Sequence, residues 1–168
     1  MLDTETSTCH AVVDSPLGAL TVVRDETGIT GVYYPRHWYR PDPWCFGRRT
    51  TAGFDDVTTQ LDEYFAGERR KFDLPLNAHG SDVQQRVWSI IAAIPYGTTT
   101  TYGRIAARLD NALSPKEVGA AVGHNPLSIL VACHRVVGAS GKLVGYAGGL
   151  ARKQALLDLE AGRQTLRW

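Results

Sequence analysis

The chain has 168 residues, 43% of them hydrophobic and 21% charged, with a formal net charge of +1. Such a chain can form one ordinary domain or two small ones around a buried core, which excludes a large multidomain machine and a disordered or fibrous polymer. No apolar run reaches the ~18–20 residues of a membrane span, and the opening MLDTETSTCH lacks the basic end and apolar stretch of a signal peptide, so a cytoplasmic location is expected.

The three cysteines, Cys9, Cys45 and Cys133, show no CxxC spacing. Neither a disulfide framework nor a four-cysteine zinc site is expected from them. Charge is uneven: residues 1–79 hold 8 basic and 12 acidic side chains, and residues 80–168 hold 10 and 5. The basic excess of the second half fits a polyanion partner, and a solvated surface equally well.

In chain order, CHAVVD, GALTVVRD and GITGVYY are short β-branched or aromatic runs separated by SPLG and DETG. They predict an antiparallel meander. In the irregular segment PRHWYRPDPWCFGRRTTAG, Trp38 and Trp44 are expected to pin the loop onto the sheet, a binding surface being the alternative. The spacing of Val57, Leu61, Tyr64 and Phe65 predicts a helix ending at Gly67. No residue of this half suggests catalysis.

The second half reads as a series of helices. Ser81 and Gln84 form a capping box before the apolar stripe Val83, Val87, Trp88, Ile91 and Ile94, which stops at Pro95 and Gly97. A second helix starts near Thr101, with Tyr102, Ile105, Ala106 and Leu109 on one side. A third has Ser114 as cap, Pro115 at its first position and Glu117 three residues after the cap, with Val118, Ala121 and Val122 inward. Pattern alone leaves two readings open, a helix-turn-helix and a plain helical hairpin.

SILVA, residues 128–132, reads as a buried strand leading to Cys133-His134-Arg135. A thiol beside cations is set up as a nucleophile, because positive charge favours thiolate; an inert core cysteine is the alternative. Leu150, Leu156, Leu157 and Leu159 predict a last helix ending at Gly162. Glu160 lies at its negative dipole end, which suggests a tertiary partner such as His134, or else a solvated helix end. GASGKL lacks the spacing of a Walker loop, and Gly145, Gly148 and Gly149 are expected to admit a flat ligand against the backbone.

From Ser81 to Ala161, and above all in NPLSILVACHRVVGASGKLVGYAGGLARKQALLDLE, the sequence resembles the O6-alkylguanine-DNA alkyltransferases. Residues 1–80 resemble them more loosely, through the SPLG hairpin and the FAGE helix end. The resemblance implies an α/β protein: a ribonuclease-H-like domain over 1–79, then a winged helix-turn-helix domain over 80–168. It implies that the second domain enters the minor groove of duplex DNA and flips the damaged nucleotide out for irreversible, stoichiometric repair of O6-alkylguanine, with O4-alkylthymine as an expected second substrate. No cofactor is implied. A monomer in solution is expected, with cooperation between copies on DNA left open.

Carried over by position, Cys133 is the alkyl acceptor, His134 the base acting through a water, and Glu160 the carboxylate that orients it. Tyr102, Asn125, Val136, Tyr146 and Ala147 match the pocket, the N–H of Ala147 serving O6. Tyr102, Lys116 and Arg135 match DNA-facing positions. Three positions depart from the family pattern: Ala132 replaces a proline, Lys116 the arginine that fills the stack, and Ala147 a serine. The family's zinc site in the first domain finds only Cys9, His10, His37 and Cys45, whose spacing fits no strong metal pattern, so no metal is expected. Two other classes remain: a non-catalytic binder of alkylated DNA, and a cysteine hydrolase or acyltransferase that turns over repeatedly.

Overall fold

A computed structural model describes residues 7–163 and Leu166. Three strands, β1 (Cys9–Val13), β2 (Leu20–Arg24) and β3 (Ile29–Tyr33), form the expected antiparallel meander, and β4 (Arg48–Arg49) pairs in parallel with β1. The turns carry their own hydrogen bonds. Ser15 Oγ accepts from Leu17 N at 3.1 Å, and Asp25 Oδ1 accepts from Thr27 N at 2.8 Å and Gly28 N at 3.1 Å.

Helix α1 (Asp55–Phe65) buries Val57, Leu61, Tyr64 and Phe65, and Gly67 follows it at φ 77°. The loop before it departs from expectation. Trp38 and Trp44 are 56% and 82% exposed, and it is Phe46 that is buried, stacked on Tyr33 at 5.5 Å. Phe46 wins because the short 3₁₀ turn Pro43–Phe46 aims it at the sheet.

The second half contains α2 (Asp82–Ala92), β5 (Thr100–Thr101), α3 (Tyr102–Arg108), α4 (Pro115–Gly123), β6 (Val136–Val137) and α5 (Leu150–Glu160). Both predicted capping boxes are present, at Ser81–Gln84 and Ser114–Glu117. Val87, Trp88 and Ile91 of the α2 stripe are buried, while Val83 in its first turn is exposed. Trp88 Nε1 donates to the Ala121 carbonyl at 2.8 Å, locking α2 to α4. Asp110 and Asn111, at φ 54° and 55°, make the turn between α3 and α4; short polar side chains tolerate this left-handed backbone.

SILVA is not a strand. Residues 128–132 form a buried, irregular turn in which Val131 N donates to Leu127 O at 2.8 Å and Ile129 sits at φ 72°. A short apolar run carries no periodicity that separates strand from buried turn.

The two halves share one continuous core that includes Val32, Tyr64, Ile91, Val118 and Leu156. Edge strand β3 is extended by the second half, where Val32 N donates to Pro126 O at 2.8 Å. Arg152 of α5 donates to Leu17 O in the first hairpin turn, also at 2.8 Å.

Candidate active site

Cys133 begins a 3₁₀ turn, Cys133–Arg135, directly after the irregular segment. Asn125 fixes that segment from both ends: its Oδ1 accepts from Leu127 N at 3.0 Å and its Nδ2 donates to Val131 O at 2.9 Å. Ala132 has φ −79°, a value open to proline, so the departure at this position keeps the turn. Cys133 and His134 thus sit on a 3₁₀ turn and not on a strand.

Cys133 is buried, and burial pushes its thiol up from the usual range. The Asn125 side chain, the Lys153 charge and the N–H groups of the 3₁₀ turn oppose that shift without cancelling it. The expectation that adjacent cations favour thiolate is therefore corrected. Arg135 is turned away: its Nε donates to Glu160 Oε1 at 2.6 Å and a terminal nitrogen donates to Ile94 O at 2.6 Å. Expected on the DNA-facing surface, Arg135 is instead buried within the carboxylate cluster.

His134 is fully buried, with Nε2 2.5 Å from Glu160 Oε2. Burial pushes the imidazole below its ordinary value, and the neighbouring Glu160 carboxylate only partly restores it. Burial of Glu160 acts to raise its carboxyl, but the His134 and Arg135 partners overcome this and hold it at about 2. An ionised carboxylate has no proton to give, so neutral His134 carries its proton on Nε2. Nδ1 is then a bare lone pair, and it has no hydrogen-bond partner among the described residues. This is a base with its acceptor atom free.

Glu160 accepts two further bonds, from Tyr64 Oη at 2.7 Å and Gly97 N at 3.3 Å. The helix end is thus neither solvated nor unpartnered.

A pocket of ≈ 50 Å³ opens on Cys133, lined by Trp38, Tyr102, Gly119, Val122, Gly123, Gly145, Tyr146 and Ala147. It brings together Tyr102, Tyr146 and Ala147, with buried Asn125 and Val136 in the supporting turn and strand. Lys116 stands apart, exposed in the first turn of α4. A larger cavity of ≈ 680 Å³ between β1 and α1 contains none of these residues. No group of three or more metal-ligating side chains occurs among the described residues.

Three contributors, Tyr34, Tyr64 and Lys153, escaped sequence reasoning, and Trp38 takes the binding-surface alternative rather than the pinned loop. Trp38 N donates to Ala147 O at 2.9 Å, its ring lies against Gly145, and so a loop of the first half walls the pocket. Tyr34 Oη lies 2.8 Å from Tyr146 Oη, and the Tyr34 ring covers Gly148. The close approaches at Gly145 and Gly148 are thus made by the protein's own rings, while Gly149 serves a φ of 94° ahead of α5. Tyr64 reaches Glu160, and Lys153 is wholly buried, its Nζ donating to Val136 O at 2.5 Å and Gly145 O at 2.8 Å. Only Lys153 left a signal, a charge three residues before Leu156 on the inward face of α5.

Fold and site define a two-part α/β protein in which a buried thiol lies beside a neutral histidine backed by a carboxylate. Residues 9–78 match the ribonuclease-like domain of 6-O-methylguanine DNA methyltransferase, and residues 82–162 match its DNA binding domain. The methylated-DNA–protein-cysteine methyltransferase of Mycobacterium tuberculosis is 44% identical over 162 residues, 92% of this chain and 93% of that one. Its counterpart from Methanosarcina acetivorans is 41% identical over 154 residues, 90% and 97% of the two chains. The crystal structure of Mycobacterium tuberculosis OGT in complex with DNA aligns with a TM-score of 0.88 at 43% identity, covering 94% of this chain and 95% of that one. The chain belongs to the 6-O-methylguanine DNA methyltransferase family. Its α3 and α4 are accordingly the helix-turn-helix of a DNA-binding domain, and the plain helical hairpin is set aside.

Proposed function

We propose that this chain repairs alkylated DNA by moving the alkyl group from O6 of guanine to the sulfur of its own Cys133. The observation that carries the reading is the buried Cys133 followed by His134, a neutral base whose Nε2–H is held by Glu160 and whose Nδ1 is free.

The thiol proton passes through a water to His134 Nδ1, the sulfur lone pair forms the S–C bond, and the C–O6 bond breaks, its electron pair going to the purine. The imidazolium gives that proton back through the water, and the purine takes it up as it leaves as guanine. A thioether has no easy leaving group, so the chain is consumed once per lesion. Glu160 orients the imidazole and stabilises the charge it gains.

O6 of a stacked guanine cannot meet a buried sulfur, so the nucleotide must leave the duplex. Tyr102, Tyr146, Ala147 and Val136 form the receiving pocket, Asn125 holds the turn that presents Cys133, and Lys116 faces the gap left in the minor groove. O4-alkylthymine offers the same alkyl–oxygen bond. The division at residues 79/80 is proposed with this reading, supported by the two family matches that end at 78 and resume at 82. No described helix is long and apolar enough to cross a membrane. A cytoplasmic location is proposed along with this reading.

Counting alkyl groups removed from excess duplex per chain tests the reading. One per chain supports it; none indicates a binder, and many a hydrolase.

A further inference from the structure

Glu160 receives four donors, and their distribution is uneven in chemistry. Oε1 takes Arg135 Nε at 2.6 Å and Gly97 N at 3.3 Å, while Oε2 is shared between His134 Nε2 at 2.5 Å and the Tyr64 hydroxyl at 2.7 Å. Tyr64 comes from α1, in the other half of the molecule, 96 residues earlier in the chain. It is fully buried among Phe65, Phe72 and Tyr96, at ring distances of 5.5, 5.3 and 6.3 Å.

We propose that Tyr64 is a positioning residue for alkyl transfer: by donating to the oxygen that holds His134, it sets how strongly Glu160 draws on the imidazole. The inference rests on the alkyl-transfer reading above.

The direction of the bond is fixed. Glu160 is ionised, and burial, followed by the Glu160 charge, pushes the Tyr64 phenol well above its ordinary range, so the hydroxyl keeps its proton and donates. A hydrogen bond to a carboxylate takes up part of its charge. Without it, the charge on Oε2 is answered by His134 alone, and the imidazolium is favoured over the neutral base that must accept the thiol proton. The other groups around this pair are Arg135 from the 3₁₀ turn, Lys153 from α5, Tyr96 with Arg70 over its ring at 5.3 Å, and Tyr34 at the end of β3. Tyr64→Phe leaves all of them in place and removes one oxygen.

The experiment compares wild type with Tyr64→Phe in the full chain, by NMR titration of the His134 ring and by single-turnover transfer from an O6-methylguanine duplex across pH. We expect the His134 titration and the acid limb of the rate profile to move up together by about one pH unit, a tenfold change in proton affinity. DNA binding is expected to remain. Coincident titrations, or a downward shift, would overturn the proposal and reduce Tyr64 to a packing residue. If Tyr64→Phe does not fold, 3-fluorotyrosine at position 64, a stronger donor of nearly the same size, must move the His134 titration downward; no movement overturns the proposal. The NMR titration needs no alkyl transfer, so it separates a failure of this inference from a failure of the repair reading.

Discussion

His134 Nε2 lies 2.5 Å from Glu160 Oε2, joining the residue after the buried thiol to the last turn of α5. The pair turns a histidine that burial keeps neutral into one whose proton sits on a chosen nitrogen. Glu160→Gln removes the charge that stabilises the imidazolium formed during transfer. We expect single-turnover transfer to slow by about 10²-fold or more, the scale of general-base assistance. An unchanged rate in a folded variant would reduce Glu160 to a structural helix end.

The same pair sets the acid stability. Glu160 is held at about 2 against an ordinary value of 4.5, so it contributes stability above pH 4.5 that is lost as pH falls toward 2. The shift corresponds to about 3 kcal/mol. His134 acts in the same direction: its depressed value means the unfolded chain takes a proton first, so stability declines as pH drops below about 6.5. Denaturant unfolding between pH 7 and 3 should show stability falling in both ranges, and Glu160→Gln should flatten the lower one.

Lys153 is the cation nearest in effect to the thiol, and desolvation lowers it to about 8, with the Cys133 charge opposing. Lys153→Met keeps the buried stem and removes the charge. We expect Cys133 alkylation by iodoacetamide at neutral pH to slow about tenfold, as for a one-unit rise of the thiol. Equal rates would show that Lys153 only ties Val136 O to Gly145 O.

How much was readable in the sequence follows from the range of each interaction. The capping boxes at Ser81 and Ser114 and the apolar face of α1 were legible because their patterns close within one or two turns. The pairing of His134 with Glu160 was anticipated twice, from the awkward charge at a helix end and from the family resemblance. The roles of Tyr64 and Tyr34 were invisible because each acts on a partner about a hundred residues away, and for the same reason the partner of Trp38 could not be read. Arg135 matched a DNA-facing position only through the resemblance, and a three-residue turn that no sequence pattern announces swings its guanidinium inward onto Glu160.

Trp38 walls a pocket of ≈ 50 Å³, room for little more than a water or two. Trp38→Ala should accelerate transfer from free O6-benzylguanine more than from free O6-methylguanine, since the larger group gains more from the opened wall. Competing the two bases against one limiting sample of protein measures the ratio, and an unchanged ratio would contradict this role.

Lys116 offers charge but no planar surface to fill the space of a flipped nucleotide, whose unstacking costs a few kcal/mol. Lys116→Arg should speed transfer from duplex relative to free base, and Lys116→Ala should slow it. Equal duplex-to-base rate ratios in all three proteins would remove Lys116 from extrusion.

The central claim is that Cys133 is the alkyl acceptor, and intact mass with peptide mapping after incubation with an O6-methylguanine duplex tests it most directly. The account predicts a gain of one methyl in exchange for one hydrogen per chain, located on Cys133 and absent in Cys133→Ser. A methyl on Cys9 or Cys45, or transfer that persists in Cys133→Ser, would contradict it.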